Sequence, residues 1–144
     1  MRINAFEVAS RYVYPSVRRR LVEKLSEKGL TQTEIAKLLH ISQSAVSRYL
    51  SEERGKMLDL RYYPEIEAEI DKLAKEIVSE HPDEYFIHYH LVRISIEVVG
   101  RGYACKLHAV VDPGVDPTRC RACIELFRPH TGRELRSGRH GRAG

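Results

Sequence analysis

The chain has 144 residues, 42% of them hydrophobic and 31% charged, with a formal net charge of +4. That suits one average domain or two small ones. No window approaches the eighteen apolar residues of a membrane-spanning helix, which excludes an integral membrane protein of the helical kind.

The charge is unevenly spread. Residues 1–60 carry 11 Lys/Arg against 7 Asp/Glu, residues 61–127 carry 8 against 12, and residues 128–144 carry 5 against 1. A basic front, an acidic middle and a basic tail fit a chain that meets a polyanion through its ends. The N-terminal stretch "MRINAFEVASRYVYPSVRRR" lacks the apolar core and small-residue cleavage site of a signal peptide, so a cytoplasmic protein is expected.

"INAFEVASRYVY" predicts a short helix that packs Phe6, Val8 and Val13. In "SVRRRLVEKLSEKG", Val17, Leu21, Val22 and Leu25 fall at helical spacing. Ser16 is placed to cap that helix and Gly29 to end it in a left-handed residue. Next, "TQTEIAKLLHISQSAVSRYLSEERG" reads as two short helices. Thr31 with Glu34 forms a capping box for the first, and Ile35, Ala36, Leu38 and Leu39 are its apolar face. After a break at His40-Ile41-Ser42, Ser42 caps the second. Ala45, Val46, Tyr49 and Leu50 face inward, and Gly55 is placed to end the helix.

Two short helices across a tight turn, after a supporting helix, make a helix-turn-helix. Ala36 is small where the second helix crosses the first, Ile41 plugs the turn, and Val46 and Tyr49 anchor the second helix from inside. Ser42, Gln43, Ser44, Ser47, Arg48 and Ser51 remain outside. A merely solvated face would carry Glu and Lys, and this one has neither. Arg48 suits a bidentate contact to guanine and Gln43 one to adenine.

The stretch "YVYPSVRRRLVEKLSEKGLTQTEIAKLLHISQSAVSRYLSEERG" resembles the archaeal predicted transcription regulators with a Cro/repressor-type helix-turn-helix and a C-terminal Cys-rich segment. "LTQTEIAKLL" and "ISQSAVSRYL" carry the resemblance, which implies major-groove binding of double-stranded DNA by the second helix. This chain has His40 where that turn usually has glycine, so a left-handed histidine or a differently shaped turn is expected.

Pro64 opens a further helix in which Ile66, Ile70, Leu73 and Ile77 repeat at four, three, four, and His81-Pro82 stops it. That stripe is either a homodimer seam or packing against the DNA-binding module. "EYFIHYHLVRISIEVVGRG" is rich in β-branched residues, yet Ile87, Leu91, Ile94 and Val98 fit one helix face. A helix is expected, because a lone strand would lack a pairing partner. His88 and His90 diverge on a helix and are expected not to be ligands.

All three cysteines fall between Cys105 and Cys123. Cys105-x-x-His108 and Cys120-x-x-Cys123 form two pairs across eleven residues, a set suited to tetrahedral zinc or, alternatively, an iron–sulfur cluster. Arg119 and Arg121 are expected to favour the thiolate form. The tail from 128 to 144 is too poor in apolar residues to order itself.

The expected fold is therefore all-α. It comprises a helix-turn-helix domain at 1–60, a helical linker and dimerisation region at 61–102, a metal-binding knuckle at 103–127 and a disordered basic tail. The expected function is sequence-specific DNA binding in transcription control by a homodimer, not an enzyme. The alternatives are a protein-interaction adaptor and, third, an enzyme with a cysteine nucleophile beside His108.

Overall fold

The computed structural model describes residues 1–128, and every regular element among them is helical. The expectation for the basic tail lies outside the described residues, apart from Arg128.

Helix α1 spans Ala5–Val8 and runs through a π turn at Ala9–Val13 into α2, Tyr14–Glu27. Asn4 and Glu7 cap its start reciprocally: the Asn4 side chain accepts from the Glu7 amide at 3.1 Å, and the Glu7 carboxylate accepts from the Asn4 amide at 3.4 Å. Sequence reading expects a fresh helix start at Ser16; the chain instead carries straight on. Pro15 has no N–H and its ring crowds the preceding turn, and the wider π turn just before it accommodates both defects. Ser16 is buried, and its hydroxyl donates to the Tyr12 carbonyl at 2.6 Å.

Helices α3 (Gln32–Leu39) and α4 (Gln43–Leu50) follow as expected. Gly29 has φ +87° at the end of α2. Gly55 has a different role from the expected helix stop, since α4 ends at Leu50. With φ +70°, Gly55 lies against the Pro15 carbonyl where a Cβ would collide, so it seats the loop after α4 on α2.

Helix α5 (Pro64–Glu80) starts at its proline, and α6 (Glu84–Gly100) is the expected helix, capped by Asp83, whose carboxylate accepts from the Phe86 amide at 2.9 Å. Both pack on α2, whose Val17, Leu21, Val22 and Leu25 are fully buried. One core cluster runs from Val8 to Ala104, so α5 and α6 share the interior of the helix-turn-helix. Full burial of each Leu or Ile contributes roughly 1.5–3 kcal/mol.

This packing corrects the dimer-seam reading. Ile66, Ile70, Leu73 and Ile77 are 0–3% exposed and face this chain's own α2 and α6. Periodicity identified an apolar face, but it could not say which neighbour covers it. On the polar edge of the same contact, the Glu67 carboxylate receives both Arg20 Nε at 2.6 Å and Lys24 Nζ at 3.0 Å.

The segment after α6, where the sequence predicts a metal-binding knuckle, forms α7 (Cys105–Val111), a loop and α8 (Ala122–Leu126). It is held by protein contacts. The Gly100 backbone lies against the Phe127 carbonyl, and Tyr103 stacks on Tyr63 at 3.8 Å and donates to Glu65. The Asp112 carboxylate accepts from the Ile3 amide at 2.9 Å and the Gly114 amide at 3.2 Å.

Candidate nucleic-acid interface and thiol site

The Thr31 hydroxyl accepts from the Glu34 amide at 3.2 Å and starts α3. At the other end of α3, His40 is left-handed, with φ 56° and ψ 39°, which is the conformation glycine would take most easily. The Ile41 amide reaches back to the Ala36 carbonyl at 3.1 Å and closes the turn. The His40 ring Nε2 lies 3.3 Å from the Pro82 carbonyl; because that oxygen only accepts, the ring nitrogen donates. This contact ties the turn to the corner between α5 and α6.

Ser42 caps α4 by accepting from the Ala45 amide at 3.1 Å. Val46 and Tyr49 are buried beneath the helix. Ser42, Gln43, Ser44, Ser47, Arg48 and Ser51 are all exposed. Arg48 forms no ion pair among the described residues, unlike Arg19 and Arg20 on α2. The outward face thus offers one free guanidinium, one amide and four hydroxyls, with no carboxylate among them. Arg54 and Lys56, exposed just beyond α4, add charge that the sequence reading passed over because no periodicity marks them.

Cys105, His108, Cys120 and Cys123 line one small cavity of about 20 Å³ between α7, α8 and the start of α1. Among the described residues, however, no group of three or more His, Cys, Asp or Glu side chains is arranged to hold a metal ion. His108 is buried, and its Nε2 lies 2.6 Å from the Ile3 carbonyl. Because that oxygen only accepts, Nε2 donates. The expected effect of Arg119 and Arg121 is not seen. Both are exposed, and Arg121 pairs with Glu125 at 3.2 Å. Burial, and then the neighbouring thiols, push the Cys105 and Cys123 thiols up, away from thiolate.

A second cleft of about 210 Å³ lies on the side of the helix-turn-helix where its turn meets α6. Arg18 and His88 line it, and neither carried any functional weight in the sequence.

The bacterial regulatory protein arsR family matches residues 15–52, which cover α2, α3 and α4. The match supports a DNA-binding helix-turn-helix of the transcription-regulator kind. It shares that class with the Cro/repressor-type resemblance but names a different family. It spans about a quarter of the chain and ends well before Cys105. No curated protein and no solved structure matches the chain. No helix among the described residues is long and apolar enough to cross a membrane.

Proposed function

We propose that this chain is a sequence-specific DNA-binding transcriptional regulator that places α4 in the major groove. One observation carries the reading: the outward face of α4 is exposed, capped at its start and free of carboxylate, and Arg48, set among small hydrogen-bonding side chains, has no ion pair among the described residues. A groove lined by base edges needs short donors and acceptors that reach in, and a guanidinium that can grip guanine O6 and N7 together. Arg54 and Lys56 sit where phosphate contacts would set the register without reading sequence. The working compartment in this reading is the cytoplasm. The protein acts as a homodimer on half-sites about 34–36 Å apart. Its seam lies outside the buried stripe of α5; α6 presents Tyr85, Tyr89 and Ile96 to solvent instead. Selection of bound duplexes from a random pool tests this. Enrichment of a two-fold symmetric motif supports it, and recovery of no motif counts against it.

The finer reading concerns the thiols. Cys105, His108, Cys120 and Cys123 are a donor set of the right kind for structural zinc, or alternatively for an iron–sulfur cluster. Two facts support it: the four line one cavity, and the His108 Nε2 proton is held by a backbone carbonyl, as metal-bound histidines usually are. As placed, the side chains do not converge on one point, so binding requires them to rotate inward. A bound ion would fasten α7 to α8 and, through His108, to the start of α1. Metal analysis with an absorption spectrum of anaerobically purified protein separates the outcomes: colourless with zinc, brown with a cluster, or metal-free, which would end this part of the reading.

A further inference from the structure

Arg18 is a half-buried guanidinium without a carboxylate partner among the described residues. Its sequence neighbours are both paired, Arg19 with Glu23 at 3.0 Å and Arg20 with Glu67 at 2.6 Å. Arg18 instead donates to the Tyr14 hydroxyl at 2.8 Å, and its guanidinium lies 4.9 Å from the Tyr14 ring centroid. Burial works against its charge, while the phenol groups of Tyr14 and Tyr49 beside it work for it. A charge withdrawn from water is normally paired. A guanidinium without a carboxylate partner that lines an open cleft has the chemistry to take an anion there.

The cleft supplies the rest of a ligand site. Arg18 comes from α2, His40 from the turn of the helix-turn-helix, and His88 from α6, so three nitrogen-bearing residues from three elements line one cleft. Leu39, Ile87 and Leu91, all buried, give the same cleft an apolar side. Among the described residues, Glu84 is the single carboxylate lining it, and it makes no salt bridge with Arg18. A lining of this kind, apolar with a few convergent polar groups, is typical of small-molecule sites.

We propose that this cleft binds a small organic carboxylate, with the anionic group on Arg18 and the apolar body over Leu39, Ile87 and Leu91. The position gives the ligand a route to the DNA-reading helix, because Arg18 lies beside Tyr49, the buried anchor of α4, and His40 forms the turn that aims α4. An occupant fixes α2, the turn and α6 relative to one another. It is thus the effector of the regulator, a step that rests on the DNA-binding reading above.

Benzoate is a suitable probe. In the full-length protein without DNA, its titration should shift the His40 and His88 ring resonances saturably, with a dissociation constant in the millimolar range or tighter. Inorganic phosphate, which lacks an apolar body, should bind more weakly. Arg18→Gln should weaken benzoate by about tenfold or more, since one charge-assisted pair is lost. Because Arg18 touches the core, the exposed His88→Asp serves as a second variant and should weaken binding without altering the melting temperature. Absence of a saturable shift, equal binding of phosphate, or unchanged affinity in both variants would overturn the site. Benzoate should also change the affinity for the selected duplex. If the ring shifts appear and DNA binding does not respond, the site stands and its effector role is wrong.

Discussion

His108 and Ile3 lie 105 positions apart in the chain, yet the His108 ring nitrogen donates to the Ile3 carbonyl across 2.6 Å. Asp112, one turn further along, accepts from the Ile3 amide at 2.9 Å. Together they clamp the segment that leads into α1 and α2.

Removing either partner should free that segment. His108→Ala leaves a partly buried carbonyl without its donor and should cost about 1–3 kcal/mol. Limited proteolysis should then cut before residue 5 first, while α3 and α4 stay resistant. The clamp is also pH-dependent. The Ile3 amide, and after it the Arg2 and Gly114 amides, hold the Asp112 carboxyl below the usual carboxylate range, against the opposing effect of burial. Its contribution is present above the ordinary value near 3.9 and is lost as pH falls further, through the lower folded value. The Ile3 amide resonance should report this, moving in acid in the wild type and remaining flat in Asp112→Asn.

Glu67 sets the polar edge between α2 and α5. Burial alone would raise its pKa, but hydrogen bonds from Arg20 and Lys24 outweigh that and hold it low. Glu67→Ala leaves Lys24 without an ion pair among the described residues and Arg20 with only its longer contacts to Glu23 and Glu27, and should lower stability by about 1–3 kcal/mol at neutral pH. The deficit should shrink as pH falls below the ordinary glutamate value near 4.3 and vanish through the lower folded value, where the wild type protonates Glu67 and loses the same bonds. Urea denaturation of both proteins across that range checks it.

Ile70→Asp tests the core of this chain rather than a dimer seam. Ile70 is fully buried in this chain's core, so an unpaired carboxylate there should cost about 4 kcal/mol or more and unfold the domain. Tyr89→Glu, on the exposed side of α6, should instead leave the melting temperature within a few degrees. Sedimentation of the wild type and Tyr89→Glu at micromolar concentration should give dimer and monomer respectively.

Much of the fold was legible because its signals are local. Thr31 and Ser42 as caps, the left-handed His40, Pro64 at a helix start and the inward Val46 and Tyr49 all act over a few residues. Their order in the chain is enough to read the helix-turn-helix and the exposed face of α4. What escaped depends on distant partners. The α5 stripe has the same spacing whether α2 or a second copy covers it. Ser16 reads as a cap until the π turn carries the helix past it. The cleft joins Arg18, His40 and His88 across seventy positions, and no spacing rule links them. The effect expected of Arg119 and Arg121 on the thiols misled for the same reason: both are near in sequence but exposed, while burial acts on Cys105 and Cys123.

Cys120→Ser tests the thiol site. If zinc or a cluster binds there, this variant should lose it and become protease-sensitive between residues 103 and 127, with the N-terminal helices retained. Full metal content with unchanged proteolysis would remove Cys120 from the site.

The central claim is that α4 reads bases through Arg48. Its most direct measurement is the ratio of affinities for the selected duplex and a scrambled one, in wild type and Arg48→Ala, at a fixed salt concentration. Loss of one bidentate contact should cut that ratio by about 1–3 kcal/mol, roughly five- to more than a hundredfold, while weak, salt-sensitive binding to both duplexes persists through phosphate contacts. An unchanged ratio would contradict the account.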